Sequence, residues 1–176
     1  VLCENYLLEP MGRNTAAAIA IATRHGASLA DDPTLFVAPA DHVVRDGDAI
    51  ADAVRLAATA RGHITTFGIT PDRAETGYGY IEVGAPLADA GGLFAAARFI
   101  EKPNAERAAA LLSSGGVLWN SGMFVFTTSL LARELAAHAP EIASATDAAY
   151  EARRDSAGAI RFAKAPYELI TAAPFD

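Results

Sequence analysis

Residues 34–69 decide the fold class, and they read TLFVAPADHVVRDGDAIADAVRLAATARGHITTFGI. The run Thr34–Ala38 is rich in β-branched and aromatic residues, which predicts a buried strand, and Ala49–Arg61 carries apolar residues at helical spacing. His63–Ile69 is a second strand-like run. A strand, a helix and a strand in this order predict a β-α-β unit with a right-handed crossover.

The same alternation continues on both sides of this unit. Upstream, a short apolar fragment at Tyr6–Leu8 precedes a helix predicted over Ala16–Ala30. Downstream, the pattern predicts strands at Tyr80–Val83 and Leu93–Ile100, a helix at Asn104–Ser113, a bent strand or strand pair at Val117–Thr127, and helices at Ser129–Ala137 and Glu141–Arg153. The tail 159–176 has no clear pattern. The sequence therefore predicts an α/β protein with a mainly parallel sheet and helices on its faces.

Composition excludes several classes of protein. The chain has 176 residues, of which 52% are hydrophobic and 20% charged, as expected for one ordinary globular domain. Its net charge of −7 repels nucleic-acid backbones, so we expect no nucleic-acid partner. A single cysteine excludes an intramolecular disulfide. No apolar run approaches the roughly 20 residues that a membrane-spanning helix needs, so we expect no membrane partner and a cytoplasmic location.

Polar residues follow two of the predicted strands, where an open parallel sheet binds its ligands. Asp41 comes after the strand Thr34–Ala38, and its carboxylate is suited either to Mg²⁺ or to capping the next turn. Glu101 and Lys102 follow the strand that ends at Ile100. A lysine ammonium suits a phosphate and a carboxylate suits sugar hydroxyls, although most such pairs are merely solvated.

Three further motifs allow two interpretations each. Gly77-Tyr78-Gly79 could present backbone amides to a ligand or form a plain turn, and it lacks the spacing of dinucleotide and nucleoside-triphosphate phosphate loops. Asn120, within Trp119–Phe124, could bind hydroxyls or mark a β-bulge. Arg13-Asn14-Thr15 could bind a nucleotide at a helix start or supply a helix cap.

The order of these motifs resembles one known family. EPMGRNTA at 9–16, PADH at 39–42, TGYGYI at 76–81, FIEKP at 99–103 and LWNSGMF at 118–124 closely resemble the bacterial mannose-1-phosphate guanylyltransferases, including the form fused to a mannose-6-phosphate isomerase domain. The resemblance implies a Rossmann-like, three-layer nucleotidyltransferase fold of the GT-A type. It also implies that GTP and mannose 1-phosphate are converted to GDP-mannose and diphosphate with Mg²⁺.

The resemblance further implies a role for each matching residue. Asp41 and Lys102 would carry the catalysis, with Asp41 holding Mg²⁺ and Lys102 gripping the sugar phosphate. The remaining roles are sugar binding by Gly77, Tyr78, Gly79, Glu101 and Asn120, nucleotide binding by Arg13, Asn14 and Thr15, and a second metal ligand at Asp176.

One departure from the family limits what we expect of this chain. The family opens with a glycine-rich loop that wraps the GTP phosphates, and nothing like it occurs here. We therefore expect residues 1–176 to be a partial nucleotidyltransferase domain, truncated at both ends, that turns over little substrate alone. Two alternatives stay open at this point: a glucose 1-phosphate enzyme of the same fold, and a catalytically silent module that binds a sugar nucleotide. The sequence also leaves open whether the protein is a homodimer.

Overall fold

The computed structural model describes residues 5–87, 91–156 and 158–175. The helices are α1 (Asn14–Leu29), α2 (Gly47–Ala57), α3 (Ala105–Ser114), α4 (Thr128–His138), α5 (Pro140–Glu151) and α6 (Lys164–Tyr167). The strands are β1 (Tyr6–Leu8), β2 (Thr34–Val37), β3 (Thr65–Ile69), β4 (Tyr80–Pro86), β5 (Phe94–Ile100), β6 (Val117–Thr127), β7 (Arg154–Ser156) and β8 (Ala159–Arg161). The chain forms two compact units, residues 1–35 with 126–176, and residues 36–125.

The first unit is a helical cluster beside a small sheet. Alanines and isoleucines recur on α1 at helical spacing, and this apolar face is buried against α4 and α5. β8 pairs in parallel with β1 and antiparallel with β7. The core of the unit contains fully or almost fully buried side chains, among them Ile21, Ile142, Tyr150, Tyr167 and Ile170.

The second unit contains most of the larger sheet, whose strand order is β2-β6-β4-β5, with β3 paired to β6. β4 is antiparallel to both β5 and β6, and β3 is antiparallel to β6. Helix α3 begins where the Asn104 side chain accepts a hydrogen bond from the Arg107 amide, and it ends at Gly115, whose φ of 69° favours glycine. Its apolar face packs against Tyr80 and Trp119 of the sheet.

The predicted α/β class is confirmed, with a correction to the sheet. The described pairings are mixed, with β1–β8 parallel and those of β4 antiparallel, and are not mainly parallel as the sequence suggested. Val117–Thr127 is one strand and not a strand pair. The unassigned tail contains β8 and α6. Among the described residues, no helix has the length and apolar character to cross a membrane.

Candidate substrate site

The loop that contains Gly77 is held in shape by Glu75. The Gly77 amide donates a hydrogen bond of 3.0 Å to Glu75 Oε1, and this bond is the main reason that the pKa of Glu75 is lowered. Arg73 Nε lies 3.3 Å from the other carboxylate oxygen. The Tyr80 hydroxyl, at the start of β4, accepts from the Glu75 amide at 2.9 Å and donates to the Glu75 carbonyl at 2.8 Å. The loop therefore has a fixed shape before any ligand arrives.

Trp119 forms a platform beneath the same loop. Its side chain is only 6% exposed and pairs in register with Tyr80. The Tyr78 ring packs edge-on against the indole, with 5.2 Å between the two ring centroids. The Arg73 guanidinium lies 5.1 Å from the centroid of the Trp119 ring. The indole Nε1 is buried and has no partner among the described residues. An acceptor from a ligand or a water would satisfy this donor.

Glu101 and Lys102 lie where β5 ends. Lys102 Nζ lies 3.1 Å from Glu101 Oε1, and both side chains are about two-thirds exposed, at 65% and 64%. Such an exposed ion pair contributes little stability. The backbone at Lys102 has φ of 39°, an unusual conformation for a residue with a side chain. Pro103, directly after it, is buried and fixes the exit of the chain.

Asn120 lies at a β-bulge in the middle of β6. Gly68 of β3 pairs with Asn120 and Thr66 pairs with Phe124, so three residues of β6 face one residue of β3. Asn120 Oδ1 accepts a hydrogen bond from the Gly122 amide at 3.2 Å and lies 3.2 Å from Thr66 Oγ1. The two interpretations of this run are compatible, since the bulge itself presents the polar side chain.

Gly79 brings these three segments together. A methyl group placed on Gly79 would lie 2.9 Å from Glu101 Oε2, 3.5 Å from Asn120 Cβ and 3.9 Å from Asn120 Nδ2. The Asn120 backbone N–H donates to the Gly79 carbonyl at 2.8 Å. The Glu101 carboxylate and the Asn120 side-chain amide thus border one small space beside Gly79, which has no side chain to fill it. This arrangement suits a ligand with neighbouring hydroxyl groups. We call Gly79, Glu101, Lys102 and Asn120 the hydroxyl site.

Asp41 follows β2 in an exposed turn. Two residues before it, the Pro39 ring approaches Gly122, where a methyl group would lie 3.6 Å from Pro39 Cγ. The turn that carries Asp41 is therefore adjacent to the bulge that carries Asn120. A continuous set of contacts runs from this turn through the bulge and Gly79 to Glu101 and Lys102, all within the second unit.

The donor set for a metal is sparse in the part of the chain that the structure describes. No group of three or more histidine, cysteine, aspartate or glutamate residues there could hold a metal ion. A single carboxylate still fits Mg²⁺, which is commonly held by one or two carboxylates together with substrate phosphates. Asp41 fits that mode because it is an exposed oxygen donor. Asp176 lies outside the described residues.

Arg13, Asn14 and Thr15 belong to the first unit, at the start of α1. Arg13 Nη2 donates to the Glu168 carbonyl, and Thr15 Oγ1 accepts from the Phe175 amide at 2.9 Å. Asn14 has φ of 62° and its Oδ1 accepts from the Thr15 amide at 2.8 Å. These contacts fasten the helix start to the C-terminal segment, and the proposed role in nucleotide binding stays a prediction.

Sequence reasoning missed Thr66 and Glu75, which support the hydroxyl site without belonging to a recognised motif. Thr66 lies in a run that predicts only a strand, and its link to Asn120 spans 54 residues of sequence. Glu75 lies two residues before Gly77, a spacing typical of side chains that bond turn amides. That spacing could have identified Glu75, whereas no local signal identifies Thr66.

With this geometry, comparison with known proteins gives the class. The chain belongs to the nucleotidyl transferase family, whose model matches residues 2–164. Enzymes of this family use nucleoside triphosphate and sugar phosphate substrates and generally require a divalent metal.

Its curated relatives are more specific. The chain is 43% identical to mannose-1-phosphate guanylyltransferase of Klebsiella pneumoniae over 180 residues, which is 98% of this chain and 37% of that protein. It is 45% identical to the xanthan biosynthesis protein XanB of Xanthomonas campestris pv. campestris (strain B100) over 171 residues, 93% of this chain and 36% of that protein. The chain thus spans about a third of the length of the curated relatives that it matches.

Solved structures agree with this grouping. The mannose-6-phosphate isomerase structure from Helicobacter pylori matches with a TM-score of 0.80 and 33% identity, covering 97% of this chain and 65% of that one. The mannose-1-phosphate geranyltransferase structure from Thermus thermophilus matches with a TM-score of 0.81 and 29% identity, covering 96% and 47%. The nucleotidyltransferase fold and the resemblance seen in the sequence are both confirmed.

Proposed function

We propose that this chain forms the sugar-phosphate side of a mannose-1-phosphate guanylyltransferase, which converts GTP and mannose 1-phosphate to GDP-mannose and diphosphate. The observation that carries the proposal is the hydroxyl site, where Glu101 Oε2 and the Asn120 amide border one space beside Gly79, with the Lys102 ammonium next to Glu101. A phosphorylated sugar has the matching pattern of hydroxyls at one end and a dianion at the other.

The chemistry needs positioning and charge more than a strong base. A phosphate oxygen of the sugar phosphate attacks the α-phosphorus of GTP, the bond from that phosphorus to the bridging oxygen breaks, and diphosphate leaves. Because the attacking oxygen is already anionic, catalysis depends on alignment and on charge neutralisation. Lys102 would bind the sugar phosphate, while Glu101, Asn120 and the Gly77–Gly79 loop with Tyr78 would hold the hydroxyls.

The remaining assignments extend the same proposal. Asp41 would hold Mg²⁺ together with substrate phosphates, and the ion would neutralise their charge when bound. Asp176 is proposed as a second ligand from its sequence motif alone. Arg13, Asn14 and Thr15 are proposed for the nucleotide side.

The direct test compares initial rates for two substrate pairs. The 176-residue chain and the complete protein that contains it are each supplied with GTP and mannose 1-phosphate, and separately with UTP or dTTP and glucose 1-phosphate. We expect the complete protein to favour the mannose pair, and the chain alone to show little turnover. A faster glucose pair would reassign the substrate, and GDP-mannose binding without turnover in the complete protein would indicate a silent binding module.

Lys102 gives a prediction for the sugar phosphate. Lys102→Ala should raise the KM for mannose 1-phosphate by about 10- to 100-fold, the usual effect of losing a hydrogen bond to a charged group, and should change the KM for GTP far less. The only other lysine, Lys164, provides the matched control Lys164→Ala, which should leave both values unchanged. Equal KM values for wild type and Lys102→Ala would remove Lys102 from the site.

Asp41 gives a prediction for the metal. Asp41→Asn should raise the Mg²⁺ concentration that gives the half-maximal rate by at least tenfold, because an amide is a poorer ligand for a hard cation than a carboxylate. Asp31→Asn, at another exposed aspartate, is the control. A titration of initial rate against Mg²⁺ that superimposes on the wild type would reject Asp41 as a ligand.

Two sequence-based expectations remain part of the proposal. We propose a cytoplasmic protein that assembles as a homodimer. Light scattering on the complete protein measures its mass in solution, and a monomer at working concentrations would refute the second expectation.

A further inference from the structure

Thr66 is a polar residue in β3 whose hydroxyl faces the bulge of β6. Its Oγ1 lies 3.2 Å from Asn120 Oδ1 and 3.0 Å from the Met123 carbonyl oxygen. Both acceptors lie in the irregular segment of β6, Asn120 as its first paired residue and Met123 among the bulged residues. The single hydroxyl proton is shared between these two acceptors, and it links the irregular segment of β6 to β3.

The same contacts fix which way the Asn120 amide faces. The Gly122 amide is a donor and lies 3.2 Å from the Asn120 side chain, so the atom that it meets must be the oxygen. Thr66 approaches that same oxygen. The Gly122 donor therefore identifies this atom as Oδ1, and the Thr66 hydroxyl donates to the same atom, whereas a rotated amide would place the Nδ2 donor against the Gly122 donor.

The orientation of the nitrogen follows from that of the oxygen. Asn120 Nδ2 faces the space beside Gly79, which Glu101 Oε2 borders as well. The Nδ2 donor and the Glu101 acceptor therefore both face the sugar hydroxyls as long as Oδ1 is turned toward Thr66. If the amide were rotated, Asn120 Oδ1 and Glu101 Oε2 would both face this space. A sugar hydroxyl could then no longer accept a hydrogen bond from Asn120 while it donates one to Glu101.

We propose that Thr66 is a positioning residue for sugar-phosphate binding, which sets the orientation of the Asn120 amide without contacting the ligand. This inference rests on the proposed function, since it assigns the sugar as the ligand of Asn120.

The test uses three single variants and one double variant. Thr66→Val removes the hydroxyl at nearly constant volume, Thr66→Ser keeps it, and Thr65→Val makes the same change at the adjacent position, which pairs with Val125. The double variant combines Thr66→Val with Asn120→Ala. The dissociation constant of mannose 1-phosphate is measured by calorimetry and the KM values of both substrates by initial rates, all on the complete protein. Urea unfolding of each variant reports its stability.

We expect Thr66→Val to weaken mannose 1-phosphate binding by about threefold to tenfold, the range set by loss of one hydrogen bond, with the KM for GTP unchanged. Thr66→Ser and Thr65→Val should bind like the wild type. In the Asn120→Ala background, Thr66→Val should change binding by less than twofold, because the group that it orients is gone. The Asn120 side-chain amide signals in a ¹H–¹⁵N spectrum should shift in Thr66→Val and not in Thr65→Val.

Each contrary outcome has its own meaning. Wild-type binding by Thr66→Val, or an equal loss with and without Asn120, overturns the positioning role while the proposed function stands. A parallel loss of GTP and sugar-phosphate binding that follows the loss of folding stability also overturns it, since a structural defect would then suffice. A wild-type protein that binds no mannose 1-phosphate overturns the proposed function itself, and the inference falls with it.

Discussion

At the scale of single residues, Gly79 matters because of the atom that it lacks. The Glu101 carboxylate occupies the position beside its α-carbon, 2.9 Å from where a methyl group would lie. Real β-carbons are not found that close to other atoms, so any larger residue at position 79 must displace the carboxylate. The Glu101 side chain is 64% exposed and can move at small cost, which separates its effect on the site from its effect on the fold.

Gly79→Ala should therefore bind mannose 1-phosphate about tenfold more weakly or worse, because the hydroxyl site loses a charged acceptor. Its free energy of unfolding should change by no more than about 0.5 kcal/mol. Calorimetry and urea unfolding measure the two quantities. Gly62→Ala is the control, since a methyl group at Gly62 meets no atom within 4 Å. Undiminished binding by Gly79→Ala would show that Glu101 does not need its present position.

At the scale of elements, α3 begins directly after the hydroxyl site. Pro103 is buried, and the Asn104 side chain accepts from the Arg107 amide at 2.9 Å. The helix start therefore limits how far Lys102 can move. Asn104→Ala should lower the free energy of unfolding by about 1 kcal/mol, the usual cost of a lost N-cap, whereas Asn104→Asp should retain it. Thermal unfolding of both variants checks the expectation, and equal destabilisation by Asp and Ala would contradict it.

These elements also show what sequence can foresee. The start of α3 at Asn104 is predictable because capping is decided within four residues of chain. The bulge at Asn120 could not be decided from β6 alone, since a bulge is defined by the register of a partner strand. For the same reason Glu101 and Asn120 could be named as candidates from their motifs, while their meeting beside Gly79 could not.

At the scale of the molecule, the sheet β1-β8-β7 escaped prediction because its strands are three residues each and two come from the far end of the chain. So few residues carry too little periodicity to identify a strand. The expectation of a mainly parallel sheet failed for a related reason. Alternation of strands and helices suggests parallel neighbours, but β4 and β5 pair antiparallel, and the described residues between them contain no helix.

A partly buried histidine of α1, in the first unit, should make folding depend on pH. Burial lowers the pKa of His25, the nearby Arg153 lowers it further, and Asp155 opposes them. Its Nδ1 lies 3.0 Å from the Tyr150 hydroxyl, and its Nε2 is buried without a partner among the described residues. The unfolded chain takes up a proton near pH 6.5 while the folded chain resists it, so stability should fall as the pH drops through 6.5.

Urea unfolding at pH 7.5 and at pH 5.5 measures this dependence. Between pH 7.5 and pH 5.5, the urea concentration at the midpoint of unfolding should fall further for the wild type than for His25→Gln, because glutamine has no proton to gain. His138→Gln, at a side chain that is 78% exposed, should behave like the wild type. An identical loss in His25→Gln would assign the acid sensitivity to other groups.

The left-handed backbone of Lys102 has a consequence for the way this protein can be improved. A side chain in that conformation costs roughly 1 kcal/mol or more, and glycine would adopt it freely. Lys102→Gly should therefore give a more stable protein that lacks the Lys102 ammonium group. A screen that selects only for heat resistance would favour that exchange, and it would discard the one ammonium on which we expect capture of the substrate to depend.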